Sequence, residues 1–105
     1  MRLSYGYVRM QPTTDQALIK ILADLFRECS EAHHRAFQDT DGEDPEWPLW
    51  YADQLMDRLS KRLRAKFTKS ELVYLLLAAN REQEFRAPGA DWPGYYAKFF
   101  YDRYL

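Results

Sequence analysis

The chain has a single cysteine, Cys29, so no internal disulfide can brace it, and that usage fits a reducing compartment. Histidine is almost as scarce, with only His33 and His34 present. Cys29 and His33 share a helical face, and Glu31 with His34 makes a Glu-x-x-His spacing. A bundle metal centre needs such sets from two helices. Ala87 and Pro88 stand where the second half of the chain would have to supply them, so no metal and no cofactor are expected. Four glycines, none of them near Cys29, leave no glycine-rich loop or elbow to present a nucleophile. A net charge of −1 provides no overall field for nucleic acid or anionic membrane. No apolar run is long enough to cross a bilayer, and residues 1–7 lack the apolar stretch of a signal peptide. The expectation is a cytoplasmic protein that does not engage membrane.

Aromatic residues, by contrast, are abundant: 3 Trp, 8 Tyr and 6 Phe in 105 residues. They crowd into a stretch used twice. Glu46-Trp47-Pro48-Leu49-Trp50-Tyr51-Ala52 returns as Asp91-Trp92-Pro93-Gly94-Tyr95-Tyr96-Ala97, and Asp57-Arg58 returns as Asp102-Arg103, all at an offset of 45. A second correspondence lies at an offset of 54, where Thr14, Leu18, Ile19, Ile21, Leu22, Arg27 and Glu28 fall on Thr68, Leu72, Val73, Leu75, Leu76, Arg81 and Glu82. The difference, 54 − 45 = 9, assigns a nine-residue surplus to the connection between the first two helices.

Taken in order, residues 1–12 lack helical period and close at Pro12, which predicts an extended arm. Thr13 with Gln16 forms a capping box. Leu18, Leu22, Leu25, Cys29, Ala32 and Ala36 then mark one face of a helix ending near Gln38. Residues 39–44 read as an acidic, solvated loop. A second helix starts at Asp44 to Pro48, since proline fits a first turn whose amides have no partner. Thr68 and Glu71 cap a third helix. Its run Leu72 to Ala79 is apolar nearly all round, which predicts the most buried helix. Pro88-Gly89 ends it, and Asp91 caps a fourth helix reaching the C-terminus. The fold expected is all-α, a single domain of four helices in two duplicated hairpins, 13–66 and 67–105, related by an approximate twofold axis.

Three functions follow from the residues. The aromatic surplus predicts a non-enzymatic interaction module, self-associating or docked on a protein partner through Trp47, Trp50, Trp92, Tyr95 and Phe99. Helix 4 carries rings on several sides, more than one buried stripe can hold. A carrier of a small apolar or aromatic ligand, held in an enclosed cavity between the hairpins, is the second. The third is a nucleic-acid contact through Arg58, Arg62, Lys66 and Lys69, which at 100° per residue fall on one quarter of helix 2. Cys29 lies on the apolar stripe, where a thiol is an inert small hydrophobe, and solvated loop acids are poor general acids, so no catalytic residues are assigned.

Overall fold

The computed structural model describes the backbone of residues 4–104 and the side chains of residues 15–104. Four helices follow one another: α1 (Ser4–Ala36), α2 (Trp47–Leu63), α3 (Lys69–Arg86) and α4 (Trp92–Tyr104), with a 3-10 turn at Gln38–Thr40 after α1. No strand occurs among the described residues. No helix there is long and apolar enough to cross a membrane.

The helix starts follow the local chemistry. The Thr68 hydroxyl accepts from the Glu71 amide at 3.1 Å, while the Glu71 carboxylate accepts from the Thr68 amide at 2.7 Å. This is the expected reciprocal cap of α3. The Asp91 carboxylate accepts from the Gly94 amide at 3.3 Å and closes the first turn of α4. Trp47-Pro48 and Trp92-Pro93 take the same place, the first two residues of α2 and of α4, and both prolines are buried.

Two expectations about the helices are corrected. Residues 4–12, read as an extended arm, belong to α1, and Thr13 stands inside the helix instead of capping it; residues 1–3 of the arm lie outside the described residues. Adding residues to an existing helix costs far less than nucleating one, so a strong amphipathic segment extends into a weaker neighbour. The other correction concerns α3. Leu72, Leu75, Leu76 and Ala79 are buried, yet Tyr74 and Leu77 within the same apolar run are exposed, as is Phe85. A bundle helix buries only the side facing its neighbours, whatever covers the other side.

α1 packs against α2 and α4, α3 packs against the same two, and α2 touches α4 across the middle. The most extensive contacts, α1 with α4 and α2 with α3, run between the hairpins and not within them. Burial repeats along the chain. At the offset of 45, Pro48, Tyr51, Ala52 and Leu55 match Pro93, Tyr96, Ala97 and Phe100, all buried. For α1 and α3 the buried positions Leu22, Leu25, Phe26, Cys29 and His33 match Leu72, Leu75, Leu76, Ala79 and Gln83. That offset is 50, as is the offset between the helix ends, Ala36 and Arg86. It lies one turn from the 54 at which sequence identities fall. A slip of four residues rotates a helix by only about 40°, so apolar positions still overlay.

Candidate functional site

The ends of the helices leave an open cleft of about 610 Å³ between the hairpins. Its wall is built in pairs. Trp47 and Trp92 stand at the first residues of α2 and α4, and Tyr51 and Tyr96 lie one turn further in. Ser30 and Asn80, then His33 and Gln83, come from the last turns of α1 and α3. The Tyr96 hydroxyl donates to Asn80 Oδ1 at 2.9 Å. The Tyr51 phenol stands correspondingly against the Ser30 hydroxyl. Beneath the wall, Trp92 meets Tyr96 edge-on at 4.9 Å and Trp47 meets Tyr51 edge-on at 5.4 Å. Phe26 supports the floor, 5.5 Å from Tyr96 and 6.4 Å from Trp92.

One pair differs in chemistry. Gln83 is buried and donates to the Ala87 carbonyl at 2.9 Å, tying α3 to its following loop. His33 does the same work for α1 through a side chain. Its Nε2 lies 3.1 Å from Asp44 Oδ2, both side chains about nine-tenths buried. Asp44 Oδ1 also accepts from the Glu46 amide at 3.0 Å. The imidazole is stacked on Phe37 at 4.6 Å and meets Trp50 edge-on at 5.0 Å. Gly42, with φ of 86°, lets the loop turn back close to α1; a Cβ there would come within 2.9 Å of His34 Nδ1. Asp44 therefore departs from the solvated loop expected of residues 39–44. His33 is the buried histidine and His34 the exposed one.

A histidine–aspartate pair stands beside the cleft, and the one cysteine is no partner for it. The Cys29 thiol is 3% exposed, and burial pushes it from 9.0 up to about 12, with Arg58 pulling weakly the other way. It is not a thiolate at neutral pH. Among the described residues no three His, Cys, Asp or Glu side chains are grouped closely enough to hold a metal ion. The pair acts as a clamp on the loop.

The buried phenols behave like the thiol. Burial raises Tyr51, where the Ser30 hydroxyl opposes it, and raises Tyr96 further. In the unfolded chain all three groups ionise near their ordinary values, while in the fold they stay neutral. The unfolded state thus loses its protons first, and stability falls as pH rises above about 9 toward 12. The urea midpoint is expected to decrease over that window. Labelling of Cys29 at pH 8 should be slow without denaturant and fast with it; rapid labelling of the folded protein would contradict the burial argument.

The five rings assigned to a partner surface are all half-buried. Trp47 and Trp92 both line the cleft. Trp50 packs on His33 and Phe37. Phe99 lies edge-on to Phe100 and under the Arg103 guanidinium at 5.5 Å. Tyr95 sits beside Glu82 and Arg86 of α3. The basic stripe loses its geometry: α2 ends at Leu63, so Lys66 and Lys69 do not continue its face. Arg58 pairs with Glu28 and Lys69 with Asp53, each at 2.7 Å. Arg62 and Lys66 remain exposed.

The sequence singles out the two tryptophans, as rings of a partner surface, but does not mark Ser30, His33, Asn80 or Gln83 as wall residues. Neither Ser30 with Asn80 nor His33 with Gln83 is an identity, so nothing in the sequence marks these pairs. No family model matches the chain, and neither a curated protein nor a solved structure matches it at a significant level.

Proposed function

We propose that this chain is a non-enzymatic binding module, two helix hairpins of one design about an approximate twofold axis, which takes a small aromatic or flat apolar ligand in the cleft between them. The observation that carries this reading is the paired lining, Trp47 with Trp92 and Tyr51 with Tyr96, each pair at the offset of 45. An axis through the cleft accounts for the pairing. Half-buried tryptophans facing an opening, backed by fixed tyrosines, offer ring faces at little cost in conformational freedom. The volume falls within the range of about 300–1,000 Å³ usual for ligand sites. The cleft is open and not the enclosed cavity of a carrier, so the ligand is held in exchange with solvent and not sealed away.

The test follows the three tryptophan indole N–H resonances during titration with indole. Those of Trp47 and Trp92 are expected to shift saturably, with Trp50 moving least. No saturable shift at millimolar indole would remove the cleft as a binding site.

Self-association is a second reading, and the outer face of α3 favours it. Tyr74, Leu77 and Phe85 are 66%, 40% and 87% exposed on one side of that helix. An antiparallel pair of these faces centred between Leu77 and Ala78 sets each Tyr74 against the other copy's Arg81, ring to guanidinium. Light scattering at micromolar concentration should give a dimer for the wild type and a monomer for Phe85→Ser. A wild type that is strictly monomeric and binds no hydrophobic dye would end this reading.

A further inference from the structure

The charges of the cleft narrow its ligand further. Its lining includes two carboxylates, the exposed Asp41 and the His33-bound Asp44, two histidines, His33 and His34, and no lysine or arginine. Trp47, Trp92, Tyr51 and Tyr96 line the same cleft, and the π-face of such a ring is the negative side of its quadrupole. Against this stand the N-termini of α2 and α4, whose free amides would attract an anion. Most of those amides are already engaged. Asp91 holds the Gly94 amide, and the Glu46 carbonyl takes those of Leu49 and Trp50. Pro48 and Pro93 have no amide hydrogen to offer. A helix end also carries only about half a unit of charge, less than one carboxylate.

We propose that the cleft takes an organic cation, an alkylated ammonium group seated on the tryptophan faces and balanced by the exposed carboxylate of Asp41. The inference rests on the ligand-binding reading above and names its substrate class. Tryptophan is the strongest cation acceptor among the aromatic side chains, and the interaction gains where water is partly excluded. The basic groups nearby are turned to other work: Arg27 binds Asp91 at 2.6 Å and Arg58 binds Glu28. An anionic ligand would find no lysine or arginine in the lining and would meet the exposed Asp41 carboxylate.

Choline and its uncharged isostere 3,3-dimethyl-1-butanol, of the same shape, separate charge from apolar fit. Both are titrated into the full chain at pH 8 while the indole N–H resonances of Trp47 and Trp92 are followed. Choline is expected to bind at least about tenfold more tightly than the isostere. Asp41→Asn, at an exposed loop position, should weaken choline binding about two- to threefold and leave the isostere unchanged. Trp47→Leu keeps apolar bulk but no ring face; it should abolish the preference, with circular dichroism confirming the fold. Equal or tighter binding of the isostere would overturn the cation while leaving the cleft as a binding site. Failure of both, with indole still binding, would do the same. If indole fails as well, both readings fall together.

Discussion

Phe26→Ala should reduce the stability of the fold by about 3–5 kcal/mol. Phe26 is completely buried on α1 and is the ring on which the two hairpins meet. It lies 5.7 Å from Phe100 and 5.5 Å from Tyr96 of α4, with Trp92 at 6.4 Å. Truncation opens a ring-sized void at the α1–α4 contact and removes aromatic pairs worth about 0.5–1.5 kcal/mol each beyond their burial. A domain of this length has only about 5–15 kcal/mol in total, so the variant should be marginal. Urea unfolding is the measurement, with the midpoint falling sharply at unchanged slope. Phe85→Ala, compared at a concentration low enough that both chains are monomeric, is the control: that ring is 87% exposed and its loss should move stability by no more than about 0.5 kcal/mol. Comparable losses for the two variants would show that the core does not lie where the packing places it.

His33→Ala should cost about 3 kcal/mol, far more than a polar residue near a helix end ordinarily would. Two effects combine. The imidazole fills space between Phe37, Trp50 and Tyr51, and its removal leaves the Asp44 carboxylate nine-tenths buried without its side-chain partner. His34→Ala, one residue on and exposed, should change little. The informative variant is His33→Gln, because Gln83 performs the same tie at the end of α3 by donating to the Ala87 carbonyl at 2.9 Å. A glutamine amide at residue 33 can donate to Asp44 and should recover more than half of the loss. If His33→Gln is as damaging as His33→Ala, ring packing and not the tie to the loop is what residue 33 supplies.

Helices α2, α3 and α4 were legible because their signals are local. The Thr68–Glu71 box and the Asp91 cap act within one turn, and Trp-Pro at a first turn depends only on amides that have no partner there. The buried stripe of α2, Ala52, Leu55, Leu59 and Leu63, was legible for the same reason: period alone places it. The repeat of Trp-Pro-x-aromatic-Tyr-Ala likewise pointed to the residues that line the cleft.

What the sequence could not decide depends on distances between segments. That His33 meets Asp44 requires the loop to fold back over α1, and a run of acids does not say which one will be buried. Burial and helix ends in α1 and α3 match at an offset of 50, because packing against neighbours sets them, whereas most of the sequence identities fall one turn away at 54. The destination of the aromatic rings was decided in the same way. Composition counts rings but not walls, so it placed Tyr95 and Phe99 outside the core, and packing left them half-buried. It placed Tyr74 and Leu77 inside, and packing left them exposed. Helix period and capping are properties of neighbours along the chain, so the sequence determines them; cleft, clamp and exposed face depend on which helix sides meet, and only the tertiary structure decides that.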